Sequence, residues 1–231
     1  MRVEFTGRSG GVSEAPYDTL NLATHVGDEP ADVATNRSRL PALLGVRPGR
    51  VVLLAAVSGG PVATVDASSP AEVSGVEALV TTEPDLALGV LAADCVPVLL
   101  ADDVAGVVGA AHAGRRGVAA TITTQTVAAM RELGADPGRM TAWVGPAICG
   151  RCYEVGDDVA AEVLAVQPAA QARTSWGTTA LDLPAAVQAE LARAGVTDVH
   201  ADPRCTAEDP SLFSYRRDGR TGRQASLVVR S

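Results

Sequence analysis

The stretch from Val51 to Ala111 constrains this chain more than any other, because apolar runs of strand length follow one another there with only turn residues between them. Val51–Val57, Val62–Val65, Leu86–Ala92, Val96–Leu100 and Val104–Ala111 are separated by Gly, Pro and Asp and read as strands. Helical patterns flank this block. Pro30 suits the first turn of a helix carrying Val33, Arg37, Leu40 and Leu44 towards Gly45, and Pro41 inside that pattern should kink or split it. Gly117–Leu133 reads as a helix closed by Gly134 in a left-handed cap. Helices are also expected over Asp157–Val166, where an Asp is the cap candidate, and over Pro184–Ala194 before Gly195. Strands are expected at Thr141–Val144, Asp198–Ala201 and Ala225–Val229, and residues 1–28 read as an ordered loop region with short strands. The sum is an α+β chain: a single layered α/β/α domain with a mixed β-sheet, spanning residues 1–231.

With 47% hydrophobic and 20% charged residues, the 231-residue chain can bury a sizeable core, which excludes global disorder. No apolar run approaches the roughly 18 residues that span a bilayer, and the opening Met1-Arg2-Val3-Glu4-Phe5 lacks the basic and then apolar pattern of a signal peptide. The expectation is a soluble cytoplasmic protein without a membrane partner. Lys+Arg number 19 against 27 Asp+Glu, for a net charge of −8, and every formal cation is arginine. That balance argues against nucleic acid as a partner and leaves room for arginines to converge on a small anion.

Cys95 and His112 flank the Asp102-Asp103 turn pair. A four-residue loop from Asp102 to Ala105 would set Ala101 opposite Gly106 and Cys95 opposite His112, with Cβ atoms about 5 Å apart. Cysteine beside imidazole has two chemical uses, an activated nucleophile and a zinc ligand pair. The plainer reading is a buried thiol on an apolar strand and a histidine at a strand end. The segment after it, His112-Ala113-Gly114-Arg115-Arg116-Gly117, is a small-residue turn into a helix, where backbone amides and arginine can hold an anion. Cys149-Gly150-Arg151-Cys152 has the spacing of a redox or zinc half-site; with no second cysteine pair to complete it, these read as structural thiols.

Several segments, in order along nearly the whole chain, resemble one family. They are Phe5 to Ser13 with Tyr17, Asn21-Leu22 to Asp28, Asn36-Arg37, Ala93-Asp94-Cys95-Val96-Pro97 and Ala111-His112-Ala113-Gly114 with Arg116-Gly117. Gly145-Pro146-Ala147-Ile148, Cys152 to Val155, Cys205-Thr206, Phe213 to Arg217 and Thr221-Gly222-Arg223 continue the match. The chain is similar to the laccase-domain (multicopper polyphenol oxidoreductase) family, whose bacterial members are regarded as purine nucleoside phosphorylases. The resemblance implies a three-layer domain with zinc held by His, Cys and His. It also implies phosphorolysis of adenosine, inosine and methylthioadenosine, with adenosine deamination as a side activity. Cys95 and His112 match two of the zinc ligands. The first histidine of the pattern falls on Ser58, whose neutral hydroxyl is a poor zinc ligand, and Arg115 replaces the aromatic residue of the His-Ala-Gly motif.

The resemblance leaves three states open for this site: zinc retained weakly with a substitute donor such as His25, a metal-free Cys95–His112 dyad, or an inherited fold with little activity. Arg8 and Arg116 are the candidates for phosphate, since guanidinium bonds phosphate bidentately, and an ion pair within the protein is the alternative for each. His25 and Asp28 are candidate substrate-binding residues in a polar loop, and His200 at a strand edge receives no role. The competing functions are a cysteine hydrolase with Cys95 as nucleophile and His112 as base, and a catalytically silent interaction protein. Copper-dependent phenol oxidation fits least, because the chain has only three histidines.

Overall fold

The computed structural model describes residues 1–55 and 59–230. Along the chain, β1 (Arg2–Phe5) leads through a long loop to α1 (Pro30–Arg37) and α2 (Leu40–Leu44). The strand block follows as β2 (Val51–Ala55), β3 (Val62–Thr64), β4 (Glu72–Ser74), β5 (Ala78–Thr81), β6 (Ala87–Ala92), β7 (Val96–Asp102) and β8 (Val107–Ala113). Next come α3 (Arg115–Ala119), α4 (Ile122–Glu132), β9 (Thr141–Val144) and α5 (Asp157–Leu164). The chain ends with β10 (Gln171–Arg173), β11 (Thr179–Leu181), α6 (Leu183–Arg193), β12 (Asp198–Ala201), α7 (Tyr215–Asp218) and β13 (Gln224–Val229).

The fold is the expected α+β class, with helices covering mixed sheets, and the strands divide into two large sheets. One is five-stranded in the order β1-β13-β6-β2-β4, and the other six-stranded in the order β12-β9-β7-β8-β5-β3. Leu54, Leu88, Val90 and Val228 of the first sheet interlock with Leu79, Leu99, Val108 and Ala110 of the second. The outer face of the six-stranded sheet is covered by α3 to α6 through Ile122, Met130, Val163, Val187 and Leu191. The outer face of the five-stranded sheet is covered by Leu22, Leu40 and Leu44. Strands β6, β7 and β8, buried along almost their whole lengths, read as continuous apolar runs because both of their faces are covered.

Local sequence explains most of the boundaries. Pro41 splits the first helix as expected, and Gly45 closes α2 at φ 66°. The helix expected over Gly117–Leu133 is two helices, because Thr121 adopts φ 57° between them. At the start of α5 the cap position belongs to Gly156, with Asp157 and Asp158 in the first turn, where their charge favours the helix dipole. The β7–β8 hairpin corrects the expected register. Its loop is Asp103–Gly106, so Asp102 pairs with Val107, and Pro97 rather than Cys95 pairs with His112. The reason lies in the turn: the buried Asp102 carboxylate accepts from Val104 N and Ala105 N at 3.0 Å each, and Gly106 takes φ 69°. No described helix is long and apolar enough to cross a membrane.

Candidate active site

The chain passes from one large sheet to the other in the short segment Ala93-Asp94-Cys95, between the end of β6 and the start of β7. This crossover is pinned at Asp94, a non-glycine residue at φ 104°. The residue is 8% exposed, and its carboxylate accepts from Thr206 Oγ1, Ser214 Oγ and Arg216 N, each at 2.6 Å. Its carbonyl accepts from Ile148 N at 2.9 Å. Three segments distant in sequence thus hold the residue before Cys95 in a strained conformation, as sites of chemistry commonly require.

The two-residue register correction keeps Cys95 and His112 together. Continuing the β7–β8 ladder sets Cys95 opposite Gly114 and therefore diagonal to His112 on the same face. Gly114 makes the approach feasible: a Cβ there would lie 3.1 Å from both Cys95 Sγ and His112 Cε1. Behind the ring sits Glu77, a fully buried carboxylate missed by sequence reasoning, with Oε1 3.2 Å from His112 Nδ1. Gly117 leaves room for it, since a Cβ at that position would stand 3.0 Å from Glu77 Oε1. The glycines of the turn after His112 therefore make space for this cluster. Burial works against the His112 imidazolium, but Cys95 beside it and Glu77 behind it outweigh burial and hold its pKa up at about 10.

Cys95 and His112 line a cavity of about 230 Å³ together with Leu54, Leu91, His25, Tyr215 and Arg223. A second hollow of about 340 Å³ shares His25, Tyr215 and Arg223 with it. Arg223 is the arginine at this cavity. Burial lowers its pKa, an effect opposed by Cys95 and Asp94, and Nη1 donates to the carbonyls of Thr221 and Gly222 at 3.0 and 2.9 Å. A partly desolvated guanidinium lining a cavity is suited to an anion. His25 stands exposed at the rim, its pKa lowered by burial of part of the ring and by Arg223.

The model of the multi-copper polyphenol oxidoreductase laccase family matches residues 2–231. This chain belongs to that family. It is 54% identical to a purine nucleoside phosphorylase of Streptomyces griseus, over 97% of this chain and 92% of that protein. With a protein of the same name from Streptomyces coelicolor it shares 56% identity, over 97% and 93% of the two chains. Among solved structures it matches YlmD from Geobacillus stearothermophilus at a TM-score of 0.91 and 35% identity, covering 99% of this chain and 91% of that one. The likeness to these proteins therefore extends well beyond the local motifs.

Of the other anticipated residues, Arg8, Arg116 and Asp28 do not line this cavity. Arg8 is engaged within the protein: Nη2 meets Asp18 Oδ1 at 3.0 Å, Nη1 meets Asp218 Oδ2 at 3.3 Å, and the guanidinium lies over Phe213. Arg116 is exposed on α3, and its neighbour Arg115 pairs with Glu162 at 3.1 Å. Asp28 accepts from Ser13 Oγ, Asn21 Nδ2 and Glu29 N at 2.7, 2.8 and 2.8 Å, and so braces the N-terminal loop. Ser58 lies outside the described residues. His200 stacks on Trp143 and pairs with Asp198. Arg217 donates to the carbonyls of Thr206, Asp209 and Leu212, which ties the C-terminal segment to the body.

For the zinc that the family resemblance implies, Cys95 and His112 supply a soft thiolate–imidazole pair, and Glu77 buttresses the imidazole as a carboxylate commonly does behind a metal-bound histidine. Among the described residues, no third donor completes a set with them in which every pair lies within 4.8 Å. The set that meets that condition is Cys149, Cys152, Cys205 and Glu208. Burial, first, and the neighbouring cysteines push the Cys149 and Cys152 thiols up.

Proposed function

We propose that this chain is a purine nucleoside phosphorylase of the cytoplasm, acting as a single domain and working at the Cys95–His112–Arg223 cavity. Its substrates are a purine nucleoside (adenosine, inosine or methylthioadenosine) and inorganic phosphate. The observation that carries the reading is the convergence of a thiol, a carboxylate-buttressed imidazole and a partly desolvated arginine on one cavity, in a chain 54% identical to a protein of that name. Arg223 binds the phosphate that attacks the anomeric carbon as the bond to the purine nitrogen breaks, and Tyr215 at the rim offers a ring face to the base. Cys95 and His112 would hold zinc, with His25 in the cavity lining as a substitute for the family's missing first histidine. When bound, that ion polarises phosphate or, in the deaminase side reaction, activates water.

Incubating the chain with inosine should release hypoxanthine and sugar 1-phosphate only when phosphate is present, and Cys95→Ser should abolish the release. Purine release without phosphate in the wild type would overturn the reading. Zinc is weakly held because the second imidazole of the family's ligand set is missing from the sequence at position 58. Ser58→His should therefore raise zinc content and turnover together, as metal analysis and initial rates would show. A change in neither would rule out the assigned role of position 58.

A second reading rests on Glu77. Cys95, His112 and Glu77 have the thiolate–imidazolium pair and orienting carboxylate of a cysteine hydrolase. Covalent trapping of Cys95 by an acylating ester, with no nucleoside turnover, would favour it.

A further inference from the structure

Away from the Cys95–His112 cavity, the structure gathers the remaining three cysteines. Cys149 and Cys152 share a turn in which Cys152 N and Tyr153 N donate to the Cys149 carbonyl at 2.9 and 3.0 Å. Cys205 and Glu208 share another, in which Glu208 N and Asp209 N donate to the Cys205 carbonyl at 3.0 and 2.9 Å. The two turns are joined through the Ala147–Cys205 bridge, Thr206 N to Ala147 O at 3.1 Å, and Cys149 N to Cys205 Sγ at 3.3 Å. Each presents two donor side chains three residues apart, the spacing that structural zinc sites use.

We propose that Cys149, Cys152, Cys205 and Glu208 form a second, structural metal site that binds one zinc ion, separate from the catalytic cavity. Their three sulfurs and one carboxylate oxygen already lie within 4.8 Å of one another. Tetrahedral zinc with sulfurs at about 2.3 Å sets ligand atoms roughly 3.8 Å apart, so closure needs movements of about 1 Å or less. Three thiolates select a soft or borderline ion over magnesium or calcium. Cys205 is almost fully buried and receives an amide hydrogen bond on sulfur, an interaction that favours the thiolate. Arg151 reaches Glu208 at 3.1 Å, and its guanidinium offsets the negative charge of a three-thiolate, one-carboxylate site. The thiol protons leave to solvent as the ion binds.

Such an ion has a structural consequence for the crossover. Ile148, next to Cys149, donates to the Asp94 carbonyl, and Thr206, next to Cys205, donates to the Asp94 carboxylate. Clamping the two turns together fixes two of the four donors that hold Asp94 beside Cys95. The inference does not depend on nucleoside turnover, and its readout is metal content.

The test uses Cys95→Ser protein, in which the catalytic cavity lacks its thiolate. After reduction, loading with zinc and dialysis, it should retain about one equivalent of zinc, and adding Cys149→Ser and Cys152→Ser should remove it. Cobalt(II) titrated into the Cys95→Ser protein should give the intense thiolate-to-metal charge-transfer absorption of a three-sulfur site, a measurement independent of whether the triple variant folds. Retention of zinc by the triple variant, absence of both zinc and the charge-transfer bands in Cys95→Ser, or a Cys149–Cys152 disulfide in the zinc-loaded protein would each overturn the proposal.

Discussion

At the scale of single residues, the cavity depends on side chains that do no chemistry themselves. Glu77 fixes the ring of His112, so Glu77→Gln should lower turnover roughly 10- to 100-fold, the usual cost of removing the partner of a working histidine. Unchanged folding by circular dichroism would confirm that the loss is one of positioning. Wild-type rates in Glu77→Gln would remove Glu77 from the account. Cys95 and His112 were legible in the sequence because rare residues flanked apolar runs, whereas their register was off by two residues because the loop is Asp103–Gly106 rather than Asp102–Ala105. Glu77 was not, because a lone acid between Val76 and Ala78 resembles any solvated turn residue, and only the fold shows it fully buried. Arginines were harder still. Arg8, Arg116 and Arg223 look alike as letters, and what separates them is the carboxylates beside Arg8, the exposure of Arg116 and the burial of Arg223.

Among the elements, α4 and α6 meet through a buried acid. Glu190 accepts from Gln167 Nε2 at 2.8 Å and from Thr124 N, in the first turn of α4, at 3.2 Å. Burial raises its pKa from an ordinary 4.5 to about 7, with the Thr124 hydrogen bond pulling the other way. The folded chain therefore binds this proton more tightly than the unfolded chain. The associated stability is complete below about pH 4.5 and is lost as pH rises through about 7. Glu190→Gln should flatten that decline, which is on the order of 3 kcal/mol, in urea unfolding curves recorded from pH 4.5 to 8; an unchanged slope would contradict the assignment. Helix ends marked by proline or glycine were readable, as at Pro30, Gly45 and Gly134, whereas the break at Thr121 carries no such mark. Strands as short as β4, β10 and β11, three residues each, carry too little periodicity to read, and they exist because neighbours pair with them.

For the whole molecule, the division of strands into two stacked sheets was invisible in the apolar runs, since a strand buried on both faces reads alike in one sheet or two. The division nevertheless creates the site, by sending the chain across at Ala93-Asp94-Cys95. Asp94 is where distant segments meet, so Asp94→Ala would strand two buried hydroxyls and an amide. It should cost about 3 kcal/mol in denaturant unfolding; a loss under about 0.5 kcal/mol would show that the crossover is held by other contacts.

The central claim is that phosphate is bound by Arg223 in the Cys95–His112 cavity. Initial rates of inosine cleavage against phosphate concentration, for wild type and Arg223→Ala, test it most directly. The wild type should saturate with phosphate, and the variant should need at least about tenfold more phosphate, a deficit of about 1.4 kcal/mol, while its KM for inosine changes little. Equal phosphate dependence in the two proteins would contradict it.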